Sequence, residues 1–96
     1  MGAYRLSVKA EKDLRQIAQE SLQHWGLTRA EAYIVALHDQ FQRLTEFPDL
    51  GLDAALARPG YRKIKSISHV IFYRTTEDGI LIVRVLHEAM DFGRHL

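Results

Sequence analysis

The side chains able to do chemistry are five histidines, a scatter of arginines and lysines, and a few serines. The histidines are His24, His38, His69, His87 and His95. A helical zinc site needs two of them four residues apart, and neither such a pair nor an HExxH run occurs. His87, Glu88, Asp91 and His95 carry ligand-type atoms, but ligand types recur by chance, and no metal and no cofactor is expected. Cysteine is absent, which removes disulfides, thiolate sites and cysteine nucleophiles together. Ser7, Ser21, Ser66 and Ser68 lack the GxSxG setting of an activated serine. Ser68 and His69 are neighbours in a strand pattern, so their side chains diverge to opposite faces. The glycines are too scattered for a phosphate-cradling loop. What remains is basic. Arg58, Arg62, Lys63 and Lys65 precede or occupy one strand pattern, Arg74 and Arg84 sit on the next two, and Arg94 lies in the tail. Arg62 and Arg74 have the planar fork that meets phosphates on a concave face. The plainer reading of Arg62, Lys63 and Lys65 is protection of a strand edge.

The elements that must position these groups are read from periodicity. Residues 3 to 7 form a short strand, and Ser7 is suited to cap the helix that follows. Ala10, Leu14, Ile17, Ala18, Ser21, Leu22 and Trp25 recur at three- and four-residue steps, one face of an amphipathic helix that Gly26 ends. Thr28 to Glu31 has the capping-box pattern and predicts the start of a second helix. Its stripe is Ala30, Ile34, Leu37, Phe41 and Leu44, widened by Tyr33 and Phe47 and stopped by Pro48. A two-residue gap makes the two helices an antiparallel hairpin. His24 and His38 fall on polar faces. A connector over 49–60 ends in the turn signal Arg58-Pro59-Gly60. Strands are then expected over Tyr61 to Ile67, His69 to Thr75 and Ile80 to His87, the last two joined at Asp78-Gly79. The order β-α-α-β-β-β predicts an α+β fold, a helical hairpin packed on a small, mainly antiparallel sheet.

Composition narrows the classes. With 47% hydrophobic and 26% charged residues the chain is globular, and a net charge of +1 does not suit a protein that coats nucleic acid. One domain, 1–96, is expected. The N-terminus has no apolar signal-peptide core, and Leu6 stands where a myristoylation signal needs Ser or Thr. No apolar run reaches the roughly 18 residues of a membrane span. A cytoplasmic location is the expectation.

One mismatch points to a partner. A sheet with helices on one face normally alternates apolar and polar residues. The run ILIVRVL is apolar except at Arg84, and VIFY carries no charge. The helices cover one face only, so the other is expected to need a lid from a partner, with the tail and the 49–60 connector as the alternative.

The ordered series of these features resembles the ParE branch of the ParE/RelE bacterial toxin superfamily over nearly the whole chain. It runs from Tyr4-Arg-Leu-Ser7, through Ala10, Asp13-Leu14 and Ile17, Leu37, Phe41, Leu44 and Pro48, to Arg58-Pro59-Gly60. It is most specific in His69-Val-Ile-Phe-Tyr73-Arg74, Asp78-Gly79-Ile80 and Ile82 to His87, followed by Met90-Asp91 and Arg94-His95-Leu96. The resemblance implies a toxin of a type II toxin–antitoxin pair, bound in a hetero-oligomer by a ParD-like antitoxin and directed at DNA gyrase. The RelE branch instead cuts mRNA in the ribosome, and for that alternative the candidate residues are Arg62, Arg74, Arg84 and His87. Val70 stands where RelE-type toxins carry Arg, and Glu88 and Asp91 would repel an RNA phosphate. The expectation is therefore a binding inhibitor without catalytic residues or direct nucleic-acid contact. For gyrase contact the candidates are His87, Met90, Asp91, Arg94 and His95, unless the tail is only a lid on the core. For antitoxin contact they are Leu14, Ile17, Trp25, Ile71, Tyr73 and Ile82.

Overall fold

The computed structural model describes residues 3–96; Met1 and Gly2, where myristoylation is excluded on sequence, lie outside them. Strand β1 (Ala3–Leu6) leads into α1 (Val8–Trp25), α2 (Leu27–Glu46), β2 (Leu52–Asp53), β3 (Arg62–Ser66), β4 (His69–Thr75), β5 (Gly79–His87) and a final turn of helix, α3 (Phe92–His95). The sheet order is β1-β5-β4-β3-β2. All neighbours are antiparallel except β1, which lies parallel to β5 with Ala3 opposite Gly79. The α+β expectation holds, with one strand and one helical turn added.

Ser7 caps α1 as expected: its hydroxyl accepts the Ala10 N–H at 2.9 Å and donates to the Val83 carbonyl at 2.7 Å. The helical hairpin turns on one residue rather than two. Gly26, at φ 84°, ends α1 and begins α2. Helix α2 thus starts at Leu27, and Thr28 lies inside its first turn instead of capping it. The β4–β5 connection falls where the strand patterns place it, around Asp78-Gly79. The last facing pair is Thr75 and Ile80, and the Thr76 N–H closes the loop on the Gly79 carbonyl. Gly79 is required by its neighbour, because a Cβ there would sit 1.9 Å from the Ala3 carbonyl oxygen.

The helix-facing core contains Leu14, Ile17, Leu37, Phe41, Ile71, Tyr73, Ile80, Ile82 and Val85. Each large apolar side chain fully buried here contributes on the order of 1.5–3 kcal/mol. The opposite sheet face carries Val70, Phe72 and Leu86, covered by Ala54 and Tyr61 of the connector and by Phe92 and Leu96 of the tail. Phe92 meets Phe72 edge-on at 5.0 Å. The expectation that this face needs a partner's lid is thereby corrected: the chain closes both faces itself. The missing alternation has a local cause. Phe72 faces Arg84 while Tyr73 faces Ile82, so the strand bulges at Val83 and its in–out parity resets.

Two histidines differ from expectation or gain a role. His38 is half-buried, with Nδ1 2.7 Å from the Tyr4 hydroxyl. His69 is buried at the start of β4, its Nδ1 2.5 Å from the Tyr33 hydroxyl. The same hydroxyl also lies within hydrogen-bond distance of the Ser66 carbonyl, at 3.1 Å. Burial holds His69 below the ordinary histidine range, assisted by His87, whose ring is edge-on at 5.3 Å; Glu20, Glu88 and Asp13 pull the other way.

Two predictions follow from this packing. Gly79→Ala should cost about 1–3 kcal/mol by overpacking, because the obstacle is backbone rather than a movable side chain; denaturant unfolding of the variant measures it. Because the folded value of His69 lies below the unfolded one, the unfolded chain takes up the proton first, and stability falls as pH drops through the ordinary histidine range. A melting-temperature series from pH 7.5 to 5 should show that decline, and His69→Asn should flatten it; an equal slope in both proteins would exclude His69 as its source.

Candidate target and antitoxin surfaces

Strand β1 ends at Leu6, opposite Ile82, and among the described residues no strand pairs with the outer edge of β5 beyond that point. Asp13, from the second turn of α1, takes over. Its Oδ2 accepts the Val85 N–H at 3.0 Å and the Arg84 Nε–H at 2.8 Å, and its Oδ1 accepts Arg84 Nη2–H at 2.9 Å. The side chains of Arg84 and Asp13 are only 13% and 11% exposed. The hydrogen-bonded carboxylate raises the Arg84 pKa further. The remaining arm of Arg84, Nη1, donates to the His95 carbonyl at 2.6 Å. One guanidinium thus joins α1, β5 and the tail.

The tail begins with a turn fixed at several points. The Glu88 N–H donates to the Ser68 carbonyl, and its carboxylate meets Lys65 Nζ at 2.6 Å, which lowers its pKa. His87 Nδ1 accepts the Ala89 N–H at 3.1 Å, and Asp91 caps α3 by accepting the Gly93 N–H at 3.1 Å. His87 and Asp91 therefore shape the turn, while His95 is held through its carbonyl. Met90 and Arg94 present their side chains outward, Met90 being 38% exposed. Of the lid alternative, the Phe92 part is realised and the Met90 part is not. Between α1, β5 and the tail lies a polar crevice of about 270 Å³ that includes Gln16, Glu20, His69, Met90 and His95.

The residues named for an RNA-cleaving site are not brought together. Arg84 is committed to Asp13, and Arg62 donates to the Gly51 carbonyl at 2.8 Å and approaches Asp49 at 3.4 Å. Arg74 faces Leu81 near one end of the β4–β5 ladder, while His87 faces His69 at the other. The five steps from His69 to Arg74 separate them by roughly 16 Å. Val70 is buried beneath the tail.

The residues named for antitoxin contact need correction as well. Leu14, Ile17, Ile71, Tyr73 and Ile82 are at most 8% exposed, so their side chains are spent on the core and offer no surface. Trp25 alone of the six is open, at 45%, with its ring edge-on to Tyr33. Periodicity assigned Leu22 to the core too, yet it lies outside with Leu27 and Val35. These side chains, with Ala18 and Ile34, line an apolar groove of about 370 Å³ across the helical hairpin. A second apolar hollow of about 320 Å³ runs from Trp25 and Tyr33 to Ile67. Sequence reasoning missed Leu27 and Val35, and the signal was available: both are apolar and off the core stripe.

Residues 4–92 match the family model for the ParE toxin of the type II toxin–antitoxin system parDE. Toxin ParE1 of Mycobacterium tuberculosis is 39% identical over 94 residues, covering 97% of this chain and 96% of that protein. Toxin ParE1 of Caulobacter vibrioides is 40% identical over 96 residues, covering 100% and 99%. Toxin ParE of Escherichia coli is 32% identical over 97 residues, covering 100% and 94%. A chain solved as "Chromosomal ParDE TA system from P. aeruginosa" has the same fold, with a TM-score of 0.77, 20% identity, and coverage of 91% of this chain and 96% of that one. A helical hairpin on a sheet whose first and last strands run parallel, matched along the whole chain by toxins of one kind, places this protein in the ParE toxin family of type II toxin–antitoxin systems.

Proposed function

We propose that this protein, acting as one domain in the cytoplasm, inhibits DNA gyrase and is neutralised by a ParD-like antitoxin, without catalysis of its own. The observation that carries the reading is the division of its surface. Both sheet faces are closed by the chain, yet Leu22, Leu27 and Val35 stand 49%, 62% and 57% exposed on the hairpin. A row of apolar side chains across two helices suits an amphipathic helix laid into the groove, with its own apolar residues as anchors. The antitoxin segment would bind there, continuing past Trp25 toward Ile67. The neighbouring solved chain belongs to a ParDE system, which supports pairing of this kind. The tail lies on the far side of the sheet and would remain free to meet the target through Met90 and Arg94, an apolar centre beside a charged rim. The dispersal of Arg62, Arg74, Arg84 and His87 supports inhibition by binding rather than RNA cleavage.

Two measurements test the two surfaces separately. Val35→Asp should leave the fold intact, because the side chain is exposed, and should weaken antitoxin binding by about 2 kcal/mol or more, roughly thirtyfold. Titration calorimetry against a co-expressed ParD-like protein reads this; unchanged affinity would remove the groove from the interface. Met90→Ala combined with Arg94→Glu should reduce inhibition of gyrase supercoiling by about tenfold or more while antitoxin affinity stays the same. Phe92 and Leu96 are left in place so that the core stays covered. Full inhibition by that double variant, or codon-phased mRNA cuts in a translating extract, would sink the proposed target.

A further inference from the structure

We infer that Arg84, oriented by Asp13, and Arg58 are positioning residues that hold the tail in the shape its target recognises; this rests on the reading of the tail given above. Helix α3 has four residues, too few to be stable by itself. Its place must be set from outside, and the structure provides an anchor at each end. Upstream, Glu88 is tied through its backbone to Ser68 and through its carboxylate to Lys65. Downstream, two guanidinium groups hold consecutive backbone oxygens: Arg84 takes the carbonyl of His95 and Arg58 the terminal oxygen of Leu96. The last carbonyls of a helix have no partner within it, so that of His95 is a group a donor can grip, and the charged chain end at Leu96 is another. Met90 and Arg94 lie on the strap between the anchors.

Stability alone does not account for Arg84. A nearly buried ion pair can often be replaced by apolar side chains of similar volume at no loss, so its presence calls for a geometric reason. The geometry supplies one. The carboxylate of Asp13 fixes the plane of the guanidinium through two bonds, and the third arm is thereby aimed at His95. Ordering the strap before binding reduces the entropy lost when the target is engaged.

The test compares full-length variants by three readings: amide hydrogen exchange at Arg94 and Leu96, affinity for the antitoxin, and inhibition of supercoiling. These amides report the strap, because they bond to the Asp91 and Phe92 carbonyls at 3.1 and 3.0 Å. Arg84→Lys keeps the charge, but one ammonium cannot serve both Asp13 oxygens and His95 at once. It should speed exchange and weaken inhibition by roughly tenfold each, the equivalent of one charge-assisted hydrogen bond, with antitoxin affinity kept within about twofold. Arg58→Gln, at an exposed position, should move Leu96 exchange and inhibition in the same direction without endangering the fold, and it decides the matter if Arg84→Lys does not fold. Unchanged exchange, or faster exchange with full inhibition, overturns the inference. If Met90→Ala with Arg94→Glu inhibits normally, the reading of the tail fails instead. If that pair loses inhibition and the arginine variants do not, only the positioning role is lost.

Discussion

The carboxylate of Asp13 is the contact on which the arrangement of the C-terminal half depends. A sheet edge that loses its neighbour strand midway leaves backbone donors to be satisfied, and a buried donor without a partner is costly. Here β1 stops at Leu6, and α1 must start there to cover the core. Asp13 lies one turn and a half along that helix and meets the orphaned Val85 N–H. By capping the edge it also places a negative charge beside Arg84, and so makes burial of that guanidinium tolerable. Removing either member of such a pair strands the other, at a cost on the order of 3–5 kcal/mol. Helix, sheet edge and tail thus share one electrostatic joint.

The arginines divide by what surrounds them rather than by sequence spacing. Arg84 and Arg62 lie among carbonyls and carboxylates and serve the backbone. Arg74 and Arg94 face water. Grouping them into one basic constellation was natural from the primary structure, because each sits on or beside a strand of one sheet. Their partners separate them: Arg84 is spent on Asp13 and the His95 carbonyl and Arg62 on the Gly51 carbonyl, while Arg74 is left exposed near the end of the β4–β5 ladder away from His87.

The order of elements and the helix-facing core were legible because they rest on local periodicity and on caps such as Ser7. The bulge at Val83 was not, since a single extra residue in an apolar strand leaves no compositional mark; it made ILIVRVL read as a strand with two hungry faces. Periodicity likewise put Leu22 on the same helical face as Leu14 and Ile17, although it lies 49% exposed. Periodicity reports which residues share a face, and only the length of the opposing layer says how many of them are buried. The surface groove was present in the sequence as apolar residues off the core stripe, Leu27 and Val35, which the packed hairpin brings beside Leu22.

The parallel pairing of β1 with β5 has a consequence for how the molecule comes into being. Ala3 cannot find Gly79, nor Ser7 the carbonyl of Val83, until almost the entire chain has been synthesised. During translation the first strand waits unpaired beside a helical hairpin whose core stripe has nothing to cover. Contacts of such long sequence separation form late and slowly. A chain cut short of β5 would lack the partner of its first strand, so the sheet closes only once β5 has been made.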